Sequence, residues 1–229
     1  MTPDLPQVET TIVRLANDFR RSEDRRALRR NRVLDAIARS YARYLARTGK
    51  FSHTADGRQP AERADRGGYA YCQFAENLAL NGDSRGFRTR QLARDAMTGW
   101  KNSPGHRANL LRPFVTETGV GVAKAPDKQT YISVQLFGRP SELRFSFRVK
   151  NLSNATVDYA YRDDAHEISP RVIATHEVCR PGAVAFTFGA GSSQANSRKV
   201  SFSVTDGDVF TIRRGNGGRL VVNQSAAVD

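Results

Sequence analysis

The sequence predicts an α+β chain, an N-terminal α–β–α sandwich followed by a small all-β sandwich or barrel. Three observations predict it. Apolar residues recur at helical spacing in three segments before residue 101, the mark of amphipathic helices. Residues 117–124 and 130–137 alternate as two paired strands do. After Gly138-Arg139-Pro140 the helical spacing stops and short alternating runs take over, so residues 1–138 and 139–229 are expected to form separate domains.

The elements follow in order. From Val8 to Arg21, the residues Ile12, Leu15, Ala16 and Phe19 repeat at i, i+3, i+4 and i+7. The charge run from Arg20 to Arg30 is expected to be a solvated loop with Leu28 tucked inward. Asn31 fits an N-cap, Leu34, Ile37, Ala38, Tyr41 and Leu45 form one stripe, and Gly49 sits where a helix closes. A short helix from Pro60 to Arg66 is opened by its proline, and Gly67-Gly68 breaks it. Glu76-Asn77-Leu78-Ala79 reads as a short strand, and Thr89 as the N-cap of a helix with Leu92, Ala93, Ala96, Met97 and Trp100 inside. Ser103 and Pro104 start a new helix as N-cap and first residue. The two strands that follow turn around Pro126-Asp127. Beyond residue 140, strands are expected at 143–149, 157–161, 171–175, 183–188, 199–205, 208–213 and 219–223, with turns such as Gly189-Ala190-Gly191 between them.

The chain has 229 residues and a formal net charge of +13. Residues 1–138 hold 24 Lys and Arg against 14 Asp and Glu, a net +10, and the remainder holds 12 against 9, a net +3. Such an excess suits an anionic surface such as lipid head groups or wall polymers. Helix-turn-helix wording, aromatic RNA-binding motifs and zinc-finger spacing are absent, so nucleic acid is not an expected partner. No segment approaches the ~18 consecutive apolar residues of a membrane span. The opening Met1-Thr2-Pro3-Asp4-Leu5-Pro6 has neither a basic n-region nor an apolar h-region. That fits a cytosolic start, and equally a mature exported domain given a new Met1.

Three short pieces stand out: Phe51-Ser52-His53, Ala75-Glu76-Asn77-Leu78-Ala79, and the run from Trp100 through Ser103-Pro104-Gly105-His106 to Leu111. A glycine-rich hairpin follows, Thr118-Gly119-Val120-Gly121 and then Tyr131 to Gly138. Their order and wording resemble the CAP superfamily, also called the SCP domain, in its bacterial branch. The resemblance covers about the first 138 residues and implies an α–β–α sandwich, secreted or periplasmic placement and, in parts of the family, sterol or lipid binding. It also implies a cleft in which His53, Glu76 and His106 converge, with Asn77 and Ser103 beside them. Two imidazoles with a carboxylate suit zinc or another divalent cation. If His106 sits in the first turn of its helix, the positive helix end keeps the ring neutral, as a ligand must be. The second acid that eukaryotic members carry after the tryptophan is missing: the chain reads Lys101-Asn102-Ser103 there, and Asp95 precedes Trp100.

For function, the leading expectation is an exported protein whose cleft binds a small or lipidic ligand and a divalent metal. The alternatives are a metal-assisted or serine-type hydrolase acting on peptide or cell-wall material, and an adhesion module with a vestigial cleft. No Gly-x-Ser-x-Gly turn supplies a nucleophile. Two cysteines, Cys72 and Cys179, allow one bridge or two separate thiols, and an oxidising compartment favours the bridge. His166 and His176, each beside a glutamate, read as surface or strand residues with no third ligand spaced to join them.

Overall fold

The structure is a computed structural model that describes residues 1–126, 129–189 and 197–226. Asp127 and part of the turn at 189–191 therefore lie outside the described residues. The chain divides into two units, Met1–Leu143 and Arg144–Asp229.

The first unit contains helices α1 (Leu5–Ser22), α2 (Arg32–Thr48), α3 (Pro60–Arg66), α4 (Thr89–Asn102) and α5 (Pro104–Leu110). Its strands are β1 (Arg29–Arg30), β2 (Tyr71–Gly82), β3 (Glu117–Lys124) and β4 (Thr130–Pro140). They form one sheet in the order β1-β3-β4-β2, with β1 parallel to β3 and the other pairs antiparallel. Alternation along β4 divides the core in two. Tyr131 and Phe137 pack with Ile12, Leu92 and Trp100 of α1 and α4. Ile132, Val134 and Leu136 pack with Tyr41 and Leu45 of α2 and Ala64 of α3. A helical layer thus covers each face of the sheet, as expected.

Local chemistry sets the helix ends. Asn31 Oδ1 accepts the amides of Val33 and Leu34, and Gly49 closes α2 in the left-handed region at φ 69°. Pro60 and Pro104 each open their helix. Gly119 and Gly121 lie under α2, where an added Cβ would meet the backbone of Leu34 and Asp35 or of Ala38 and Arg39. The helix therefore rests directly on the strand. The outer edge of β3 is finished by buried acids: Asp35 accepts the Val120 amide at 2.8 Å and Glu9 the Val122 amide at 3.2 Å. Two amides that would lie bare at a sheet edge are thereby satisfied.

Several elements differ from the sequence expectation. α1 begins earlier, because Asp4 caps it by accepting the Gln7 amide. Arg20, expected in solvent, is 2% exposed and donates to the carbonyls of Arg26 and Leu110. Its burial is tolerable because those carbonyls replace water. β2 runs to twelve residues rather than four, since its pairing with β4 continues past the apolar stretch. Arg88, not Thr89, holds the N-cap of α4, and the Thr89 hydroxyl instead accepts the Asp4 amide.

The second unit is all-β. Its strands are β5 (Phe145–Asn151), β6 (Val157–Tyr161), β7 (Asp164–Ile168), β8 (Ile173–Val178), β9 (Ala183–Phe188), β10 (Arg198–Ser203), β11 (Asp208–Arg214) and β12 (Leu220–Ser225). They form two four-stranded sheets, β10-β9-β6-β7 and β12-β11-β5-β8, which share a core built on Phe147, Phe186 and Phe210. The fold is a sandwich. β7 escaped the sequence reading because Asp164 to Ile168 carries little apolar alternation. It places His166 against the Tyr159 ring, and His176 Nε2 lies 2.7 Å from the Tyr159 hydroxyl. These histidines are sheet residues packed among aromatic rings rather than surface groups.

Candidate functional site

The site is built on β2, an edge strand of its sheet. Adjacent residues of a strand point to opposite faces, so Glu76 and Asn77 serve two different layers. Glu76 faces α3 and the loop that follows α2. Its carboxylate accepts from Arg63 Nη2 at 2.8 and 3.0 Å and lies 2.8 Å from His53 Nδ1. Asn77 faces α5 and donates to the His106 carbonyl at 3.1 Å. Asn109 donates to the Asn77 side-chain oxygen and to the Glu76 carbonyl, so two turns of α5 are tied to the strand. Trp100 completes the attachment by donating its indole N–H to the Leu78 carbonyl at 2.8 Å.

His53 and His106 thus reach the same strand edge from opposite layers. His106 is the third residue of α5. Burial lowers its pKa, and the nearby His53 lowers it further. Burial and the second imidazole thus both favour the neutral ring. Glu76 is nearly fully buried, whereas the His53 side chain is 47% exposed. With Nδ1–H donated to the carboxylate, Nε2 is left as the accepting nitrogen on an open ring.

The expected metal set does not assemble in that form. Both Glu76 oxygens are taken by Arg63 and His53, which places the carboxylate behind the His53 ring rather than beside it. No group of three His, Cys, Asp or Glu side chains among the described residues is placed to hold a metal ion. A zinc centre needs three or four protein ligands, so these residues do not fit a resident zinc with Glu76 as ligand. Ser103 holds the N-cap position of α5, but its hydroxyl makes no capping bond. Neither Cys72 nor Cys179 is a free thiol.

Two residues of the site went unnoticed in the sequence. Arg63 is one of 36 basic residues, and nothing in its local pattern signals burial. Its guanidinium is nonetheless almost enclosed, held by Glu76, Asp56 and the His53 and Arg58 carbonyls and stacked 3.5 Å over the Tyr41 ring. Asn109 lay within the recognised Trp100–Leu111 run, and only the pairing with Asn77 reveals its role.

An α–β–α sandwich with a histidine on each side of a Glu-Asn strand defines a class of domain. The chain belongs to the cysteine-rich secretory protein family, CAP, whose family model matches residues 13–137. The uncharacterized protein YkwD of Bacillus subtilis is 27% identical over 118 residues, covering 51% of this chain and 43% of YkwD. A crystal structure of an extracellular SCP-domain protein from Bacillus anthracis superposes with a TM-score of 0.50 at 26% identity, covering 59% of this chain and 41% of that one. An outer surface protein of Borrelia burgdorferi shares the fold, with a TM-score of 0.50 at 22% identity over 57% of this chain and 90% of that one. This chain spans less than half the length of YkwD and of the Bacillus anthracis protein. Residues beyond 137 lie outside the family match.

Proposed function

We propose that this chain is an exported CAP-domain protein whose His53–Glu76–His106 cleft binds a small or lipidic ligand. The observation that carries this reading is the fixed Arg63–Glu76–His53 relay under an open imidazole. A buried ion pair orients His53, so Nε2 meets a ligand with little reorganisation, and preorganisation of this kind reduces the entropy lost on binding. Export is supported by the extracellular and outer-surface relatives. The absence of any helix among the described residues long and apolar enough to cross a membrane is compatible with it.

The test is to follow the His53 and His106 ring signals by NMR while adding palmitate or tri-alanine. Saturable shifts confined to these rings and their neighbours are expected, and His53→Ala should abolish them. Shifts found only in residues 144–226, or none with either probe, would overturn the reading.

One observation favours a second reading, hydrolysis. His53 Nδ1 bonded to a buried carboxylate is the arrangement that orients a general base. Turnover of p-nitrophenyl acetate or of purified peptidoglycan, lost in Glu76→Gln, would establish it.

A further inference from the structure

A concave site lies between α2 and α3, with a volume of about 490 Å³. That volume is within the range of small-molecule pockets. Neither His53, Glu76 nor His106 lines it. Tyr44 is half-buried on this lining, whereas the Tyr41 ring, nearly parallel to it with 6° between planes and 6.2 Å between centroids, is buried beneath the Arg63 guanidinium. Both rings are immobilised by the loop after α2, Tyr44 by donating its hydroxyl to the Ala55 carbonyl and Tyr41 by accepting the Ala55 amide. Arg58, Arg63 and Arg66 also line the groove. Arg63 is fully engaged by Asp56 and Glu76, and Arg58 leans toward Asp56 at 3.6 Å. Arg66 takes part in none of these ion pairs, and Arg47 adds a further guanidinium 5.9 Å from the Tyr44 ring. The acids of α3 keep their charge but are engaged by neutral donors rather than by Arg66. Glu62 bonds the Gln59 amide, and Asp65 accepts the Tyr71 hydroxyl at 3.4 Å.

We propose that this groove binds an acidic saccharide, a sugar ring bearing a carboxylate or phosphate. The Tyr44 ring suits the apolar C–H face of a pyranose ring. The Arg66 and Arg58 guanidiniums suit a planar or tetrahedral anion, which they grip with paired N–H donors. Asp56 and the Ser40 hydroxyl, also on the lining, offer acceptors to sugar hydroxyls. A lipid tail fits less well, because among the described residues Ile37 and Ala36 are the only aliphatic side chains on the lining.

The test is isothermal titration of the full chain with N-acetylmuramic acid, glucuronic acid and glucose 6-phosphate, beside neutral N-acetylglucosamine. At least one acidic sugar is expected to bind about tenfold more tightly than the neutral one, with affinity falling as NaCl is raised. Arg66→Gln should weaken that binding about tenfold at unchanged melting temperature, and Tyr44→Leu should weaken it by as much. His106→Ala, in the cleft, should leave it unaltered, so failure of the cleft reading and failure of this one are distinguishable. Equal affinity for acidic and neutral sugars overturns the proposal, as does absence of saturable binding to all three acids. Binding to phosphatidylglycerol vesicles that Arg66→Gln removes, without binding to any acidic sugar, identifies a lipid head group and overturns it too.

Discussion

Asn109 reaches back 32 residues to Asn77, its Nδ2 donating to the Asn77 Oδ1 at 3.0 Å. Asn77 is fully buried, so its oxygen has no water to turn to if Asn109 is lost. Asn109→Ala is therefore expected to cost about 1–3 kcal/mol. Urea unfolding should show a lower midpoint at unchanged slope, and the His106 ring signals should broaden as α5 loosens from β2.

Glu76 and Arg63 form a buried pair, with side chains 2% and 9% exposed. Glu76→Leu alone strands the guanidinium and should destabilise by about 3–5 kcal/mol. The double replacement Arg63→Met with Glu76→Leu should recover a measurable part of that loss, because two apolar side chains need no solvation. A double variant no more stable than Glu76→Leu would mean that Arg63 acts mainly through Asp56 and the loop carbonyls.

Acid should weaken both units. Burial lowers the pKa of His176, with the neighbouring His166 adding to it, and His106 is lowered for the same leading reason. Above the ordinary histidine value of 6.5 these rings are neutral in both folded and unfolded chains. As pH falls below it, the unfolded chain takes up protons that the folded chain resists, so stability declines until the folded values are passed. Urea midpoints measured between pH 7.5 and 5 should fall, and His176→Gln should flatten part of the slope.

Residues 1–143 are expected to fold without the remainder, since both apolar clusters of this unit are built entirely from its own residues. A cooperative thermal transition in the isolated fragment would confirm this, and aggregation would refute it.

Cys72 and Cys179 are expected to be linked to each other in protein exposed to an oxidising compartment. A non-reducing peptide map should show one joined species. Reduction should lower stability by up to about 5 kcal/mol, the chain-entropy value for so long a loop.

Much of the first unit was legible in the sequence because its punctuation is local. Asn31, Gly49, Pro60 and Pro104 act on their own turns, and the apolar stripes show which helix faces meet the sheet. β2 was read too short because its length is set by pairing with β4, a distant segment. Arg20 and Arg63 were illegible for a related reason: what makes a buried guanidinium tolerable is a set of carbonyls and carboxylates delivered by other elements. The histidines and Glu76 could be named from motif order, but order does not reveal that Glu76 stands behind His53. The aromatic stacking of His166 and His176 depends on strand pairing that five weakly patterned residues do not announce.

Gly67, at the close of α3, lies so near α2 that an added Cβ would strike the Ile37 side chain. Its missing methyl lets α3 pack close against α2 beside the groove. An alanine there would force Ile37 or α3 to shift and reshape the groove while every tyrosine and arginine on its lining stayed the same. Selectivity for ligand size can thus drift among related proteins through a residue that has no side chain to offer a ligand, and comparing relatives by their lining side chains alone would miss it.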